Sequence, residues 1–165
     1  MSGWAKRIEV ATNVAILCAF LLVGALAAKR LLEPSPNRQG TPSIGAKVSI
    51  QGIDWSQSKQ NLVLALSTGC HFCSESAGFY QRLVPSAENN GVRVLAVLPQ
   101  SISDSRSYLE KLGVTVSEVV QSPLSAVEAS GTPTLLLVDG NGKIRNVWVG
   151  KLGPEQERQV LARMN

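Results

Sequence analysis

Two of the three cysteines in this chain stand three residues apart, as Cys70-His71-Phe72-Cys73. At that spacing in the first turn of a helix, two thiols share a face and come close enough to form a small-loop disulfide. A cysteine at the helix start lies among free backbone N–H groups and at the positive end of the helix dipole, and both favour its thiolate. The thiolate attacks a partner disulfide, and the second cysteine resolves the mixed disulfide. Cys70 is therefore the candidate nucleophile and Cys73 the candidate resolving thiol. The pair has other uses. A c-type haem site needs His directly after the second cysteine, where this chain has Ser74. Tetrahedral zinc needs a second ligand pair, and the chain offers only Cys18 and His71. A purely structural disulfide of so short a loop would constrain the unfolded chain little. A Cu(I) metallochaperone could use the two soft thiolates, but no Met cluster or second His accompanies them. No bound cofactor and no metal is required, because a dithiol is itself a two-electron carrier. His71, the only histidine, is either an exposed helix-start side chain or a stabiliser of the Cys70 thiolate. Glu75 is either a favourable first-turn charge or a proton relay.

The elements that would hold this pair follow from the pattern around it. Residues 61–66 (NLVLAL) form a short uninterrupted apolar run, as in a strand covered on both faces. Ser67-Thr68-Gly69 then turns into a helix over 70–83, with Phe72, Ser76, Phe79 and Leu83 on one face. A second buried strand, 92–98, is stopped by Pro99. Residues 105–112 read as a helix with Gly113 past its end, and 125–130 as a short helix or turn. The apolar segments 134–138 and 143–149 flank Asp139-Gly140-Asn141-Gly142, a strong hairpin signal. A helix over 154–164 has its proline in the first turn. Val48 and Ile50 suggest one more short strand near the start. Trp55 and Trp148 read as packing residues. The order β, β, α, β, α, β, β, α predicts an α/β domain: a mixed sheet with parallel strands and an antiparallel hairpin edge, flanked by helices.

Charge and hydropathy divide the chain. Its 165 residues carry 16 Lys+Arg against 12 Asp+Glu. Lys6, Arg7, Lys29 and Arg30 bracket nineteen uncharged residues, 10–28, with only Glu9 opposing them. The remaining 135 residues hold 12 basic and 11 acidic side chains, so no basic stripe is left to neutralise a phosphate backbone, and nucleic-acid binding is not expected. A helix over 10–28, at about 1.5 Å per residue, nearly spans a hydrocarbon core of about 30 Å. The segment is apolar all round, which argues against a buried soluble helix, and Cys18 within it reads as a small apolar side chain. A single-pass signal anchor is the favoured reading. A cleaved signal peptide is the alternative, because Ala25-Leu26-Ala27 fits the small-residue cleavage pattern. The expected organisation is a cytoplasmic N-terminus over 1–9, a transmembrane anchor over 10–28, a Pro- and Gly-containing linker over 29–42, and one domain over 43–165.

The strand–CHFC–helix unit, followed by Gly131-Thr132-Pro133-Thr134 leading into TLLLVDGNGKI, resembles the thioredoxin superfamily. With the N-terminal anchor and the long interval from Cys73 to Pro133, it is similar to the TlpA/ResA-like branch of bacterial membrane-anchored thiol–disulfide oxidoreductases. The resemblance covers about residues 43–165. It implies a thioredoxin-like fold, a cis bond before Pro133, and a substrate groove in which the Thr132 backbone pairs with the bound partner chain. It also implies a domain outside the bacterial cytoplasmic membrane, in the periplasm or at the cell exterior. There it would exchange with protein disulfides or dithiols, as a reductant supplied by a donor the sequence does not name. A redox-inactive scaffold of the same fold is the remaining alternative. Several residues depart from the pattern. Gly69 precedes the first cysteine where the family often has Trp, and His71-Phe72 lacks the common proline. Glu75 lies one place before the branch's usual helix acid, at whose position stands Ser76. Gly78 replaces a helix-kinking proline, and no acid lies within 62–66.

Partner disulfides persist only in an oxidising compartment, and the positively flanked apolar segment sets the topology. Reporter fusions made after Gly45 should be active outside the cytoplasm. Activity of a cytoplasmic reporter alone would refute the predicted orientation.

Overall fold

A computed structural model describes residues 42–164 together with Ile16. The expected cytoplasmic N-terminus (1–9), the anchor (10–28, apart from Ile16) with Cys18, and the linker (29–42, apart from Pro42) lie outside the described residues. Among the described residues no helix is long and apolar enough to cross a membrane.

Five strands make one sheet: β1 (Gln60–Ala65), β2 (Arg93–Leu98), β3 (Glu118–Gln121), β4 (Thr134–Asp139) and β5 (Ile144–Val149). Their order across the sheet is β3-β2-β1-β4-β5. The first three run parallel; β4 pairs antiparallel with β1, and β5 pairs antiparallel with β4 and so runs parallel to the first three. β1 is therefore central, and its alternation serves two cores. Leu62, Leu64 and Leu66 join Val94, Ala96, Leu98, Leu135 and Leu137 on one face. Val63 and Ala65 join Leu95, Val97, Leu136 and Val138 on the other. That two-sided burial is why β1 reads as a continuous apolar run. The first face is covered by the helices α2 (Ala77–Asn89), α3 (Ile102–Lys111) and α4 (Pro154–Arg163), through Phe79, Leu83, Leu109 and Val160. The second is covered by Val48, Ile50 and Trp55 and by the 3₁₀ turn Leu124–Val127.

The mixed sheet flanked by helices and the hairpin match the sequence reading, with four differences. Val48 and Ile50 do not form a strand. The Val48 N–H bonds to Gly142 O at 2.9 Å and the Ser49 N–H to Ala126 O at 2.9 Å, so the segment divides its hydrogen bonds between two partners. Only one bridge, Lys47 to Lys143, results. β3 has no counterpart in the sequence reading. It has four residues at a sheet edge, too few for a periodic signal. The helix expected over 70–83 is two helices, α1 (His71–Glu75) and α2, broken at Ser76. The Ser76 hydroxyl donates to Phe72 O at 2.8 Å, the local back-bonding that bends helices. The change of axis takes Phe72 off the buried face, where it is 54 % exposed, while Phe79 and Leu83 stay buried. α2 then runs to Asn89 with Pro85 inside it. Finally, α3 begins at Ile102, because Ser101 caps it by accepting the Asp104 N–H at 3.1 Å.

The β4–β5 hairpin closes the end of the sheet away from the cysteines. Gly142 has φ +77°, and a Cβ there would lie 2.8 Å from Trp55 Cδ1, so conformation and packing both demand glycine. Asp139 Oδ1 accepts the Asn141 and Lys143 backbone N–H groups at 2.8 and 2.9 Å, and its Oδ2 accepts Arg145 Nε at 2.9 Å. The Lys143 N–H foremost, with Asn141 and Arg145, holds its carboxyl below the ordinary 3.8. A carboxylate depressed in the folded state stabilises the fold at pH above its unfolded value, and that contribution is lost as pH falls through the folded value. Asp139→Ala should cost about 1–3 kcal/mol at neutral pH. Asp139→Asn, which keeps an acceptor oxygen, should cost less. The gap between wild type and Asp139→Asn in urea unfolding should close as pH drops below about 4. A gap that persists under strongly acidic conditions would contradict this role.

Candidate redox site

The cysteines occupy the link between β1 and α1. β1 is held to its end by the sheet, the Leu66 N–H reaching Val97 O at 3.0 Å. Residues 67–69 turn, with the Cys70 N–H on Ser67 O at 3.1 Å, and α1 begins. Cys70 is the helix N-cap, in extended conformation, and its Sγ accepts the Cys73 N–H at 3.0 Å. Cys70 and Cys73 are joined as a disulfide with Cα atoms 5.2 Å apart. Cys73 is fully buried in the core, whereas Cys70 is only partly covered. An incoming reagent therefore meets Cys70 first.

His71 and Glu75, both singled out from sequence, are brought together. His71 Nε2 lies 3.1 Å from Glu75 Oε1, and Glu75 Oε2 accepts Lys151 Nζ at 2.9 Å. The Lys151 hydrogen bond is the main cause that lowers the Glu75 carboxyl from its ordinary 4.5. Desolvation opposes it, and His71 adds a smaller lowering. With its side chain 80 % exposed, His71 is directed to this carboxylate at the surface. Thr132 and Pro133 sit just ahead of β4. Ala65 pairs with Thr134, and Thr134 with Val149. That row puts the Thr132–Pro133 segment at the same sheet end as the redox turn, on its β4 side. The Thr132–Pro133 bond is cis. Pro133 is buried and its carbonyl accepts the Gly150 N–H at 2.7 Å, while the Thr132 N–H and C=O have no hydrogen-bond partner among the described residues.

The β2 side contributes residues that the sequence reading passed over. Gln100 Nε2 donates to Ser67 Oγ at 3.1 Å, and Gln100 Oε1 accepts the Thr68 N–H at 3.4 Å. The Tyr108 hydroxyl lies 3.3 Å from Ser74 Oγ. Between them opens a cavity of about 340 Å³ lined by Thr68, Gln100, Asp104, Ser107, Tyr108 and Lys111. These residues and Lys151 reach the redox segment across more than 30 intervening residues, so no local pattern marks them. The one sequence signal is position: Gln100 stands two residues past the end of a parallel strand, where functional groups of α/β sheets collect. Exposed apolar side chains gather at this end too. Ile102 follows β2, Phe72 lies in α1 and Val149 ends β5, at 47, 54 and 45 % exposure.

No known protein-family profile matches the chain. It is 28 % identical over 98 residues to the thiol-disulfide oxidoreductase ResA of Geobacillus thermodenitrificans (strain NG80-2), an alignment covering 57 % of this chain and 56 % of that protein. The chain thus spans little more than half the length of this relative. Solved structures share its fold. A putative thiol:disulfide interchange protein DsbE from Chlorobium tepidum aligns with TM-score 0.56 and 20 % identity, over 74 % of this chain and 99 % of that one. A thiol:disulfide interchange protein from Bacteroides sp. gives 0.57 and 18 %, over 76 % and 91 %. StoA from Bacillus subtilis gives 0.52 and 14 %, over 73 % and 97 %.

Lys151→Ala should move the Glu75 carboxyl up toward its ordinary value, read by ¹³C NMR titration, and His71→Ala should move it less. An unmoved Glu75 in Lys151→Ala would show that the ion pair does not form in solution.

Proposed function

We propose that the chain is a member of the thioredoxin superfamily and a thiol–disulfide oxidoreductase acting as a reductant on extracytoplasmic proteins, a reading supported by its similarity to ResA and by the fold it shares with thiol:disulfide interchange proteins. The observation that carries the reading is the Cys70–Cys73 disulfide at the start of α1, with the Cys73 N–H on the sulfur of the more exposed cysteine. In the reduced domain that N–H stabilises a Cys70 thiolate. The thiolate attacks one sulfur of a partner disulfide. A mixed disulfide forms and the partner's other sulfur leaves as a thiolate. The Cys73 thiolate then attacks Cys70 Sγ, the mixed disulfide breaks, and the partner leaves with both its sulfurs reduced. Two electrons have passed to the partner, and the domain holds the disulfide seen here. A dithiol donor must reduce it again.

A protein partner suits the surroundings of the site. The unpaired Thr132 backbone offers one N–H and one C=O to an extended chain, as strand addition requires. Phe72, Ile102 and Val149 present exposed apolar surface at the sheet end that carries the sulfurs. Extracytoplasmic placement rests on the 10–28 segment and on the compartment in which partner disulfides persist. The membrane is the second partner, through that segment.

The reduced protein should cleave the disulfides of a test protein. Cys70→Ser should be inactive, and Cys73→Ser should accumulate a mixed disulfide that nothing resolves. Undiminished activity in Cys70→Ser would overturn the proposal. Equilibration with a glutathione series decides direction: a potential near or below about −250 mV fits a reductant, and one near about −120 mV an oxidant.

A further inference from the structure

We propose that Gln100 is a positioning residue for Cys70, acting through the Ser67–Gly69 turn. This turn is the covalent tether between the sheet and the nucleophile. Upstream, Leu66 is fixed by its bond to Val97 O. Downstream, Cys70 is fixed to α1 as its cap. Between them the turn is closed by the Cys70 N–H on Ser67 O at 3.1 Å, and no packing surrounds Gly69, where a built Cβ would meet nothing within 4 Å. The Gln100 side chain supplies what packing does not. Its amide binds the turn at two points, donating to Ser67 Oγ at 3.1 Å and accepting the Thr68 N–H at 3.4 Å. The two bonds use the two ends of one planar amide, so they fix its orientation and the turn together. Gln100 can do this because β2 lies beside β1, one strand spacing away, and its chain leaves the sheet at the same end.

The clamp pulls from the β2 side, whereas the Thr132 backbone stands on the β4 side. Its effect is therefore on where Cys70 sits relative to a docked chain. It leaves the sulfur's own activation alone, because the Cys73 N–H belongs to α1 and moves with Cys70. A misplaced nucleophile loses rate against a partner held elsewhere on the surface, but not against a small reagent free to approach it. The Tyr108 hydroxyl on Ser74 lies downstream of both cysteines and is exposed, so it does not share this role.

The rate arm of the test rests on the thiol–disulfide reading above; a second arm does not. In the full chain, Gln100→Ala should slow reduction of a disulfide-bonded protein about tenfold, while its reaction with a small aromatic disulfide stays within twofold of wild type. Ser67→Ala should lose less, and the double variant no more than Gln100→Ala, since both remove one interaction. An equal loss with both substrates, or additive losses in the double variant, would overturn the proposal. If wild type reduces no disulfide, the activity reading fails while the clamp is still decided by amide hydrogen exchange. Thr68 exchanging at least tenfold faster in Gln100→Ala, with α2 and β1 unchanged, supports it. An unchanged Thr68 amide overturns it.

Discussion

The site depends on β1 lying in the middle of the sheet, bonded to β2 along one edge and β4 along the other. A strand buried on both faces and paired on both edges cannot shift by one residue without turning its leucines to the wrong core. Its last residues are therefore fixed in space, and the turn that carries Cys70 inherits that position. The same register brings three other chain segments to the same end. β2 delivers Gln100, β4 begins just after Thr132 and Pro133, and β5 ends at Val149 just before Lys151. None of these segments is near Cys70 in sequence. They meet it because parallel β2 and β5 end there and antiparallel β4 starts there.

α1 has five residues and its own stability is slight, since a helix this short does not form alone. It is held by tertiary anchors instead. Cys73 is buried in the core beside α2, Ser76 ties back to Phe72 O, and Glu75 reaches Lys151 beyond β5. The break at Ser76 separates two duties. α2 lies against the sheet and carries Phe79, Leu83 and Ala87 into the core. Released from that axis, α1 directs Phe72 to solvent and keeps Cys70 at the surface while Cys73 stays inside.

Much of this is legible in the sequence wherever one segment carries its own signal. The apolar run of β1, the cysteine spacing, the turn residues between β4 and β5 and the final helix need no partner to be recognised. The illegible parts depend on partners. β3 is four residues whose strand character comes from pairing with β2. The 48–50 segment has strand-like residues but two different hydrogen-bond partners. Periodicity of 3.6 residues places Phe72 on the buried face because it assumes one axis, and a serine hydroxyl breaks that axis. Pro85 has the character of a stop, yet α2 runs past it, packed on the core by Tyr80, Leu83, Val84 and Ala87. The site residues divide the same way. Cys70, Cys73, His71 and Glu75 are neighbours in sequence, and Thr132 and Pro133 come from a pattern of resemblance. Gln100, Tyr108 and Lys151 act only through the fold.

The arrangement of charge bears on the direction of electron flow. Whatever stabilises the Cys70 thiolate stabilises the reduced domain and makes its disulfide a stronger oxidant. His71 is the sequence candidate for that role, as a cation beside the sulfur. In the structure its Nε2 faces the Glu75 carboxylate, which already accepts the Lys151 ammonium. The two basic side chains of this cluster thus converge on one carboxylate. The hydrogen bond that the Cys70 sulfur accepts is from backbone, the Cys73 N–H at the start of a short helix. Such donors lower a thiol's pKa, but they lack the full charge of an imidazolium turned toward the sulfur. Glu75 thus gathers both basic side chains of this surface from two separate elements, α1 and the segment after β5.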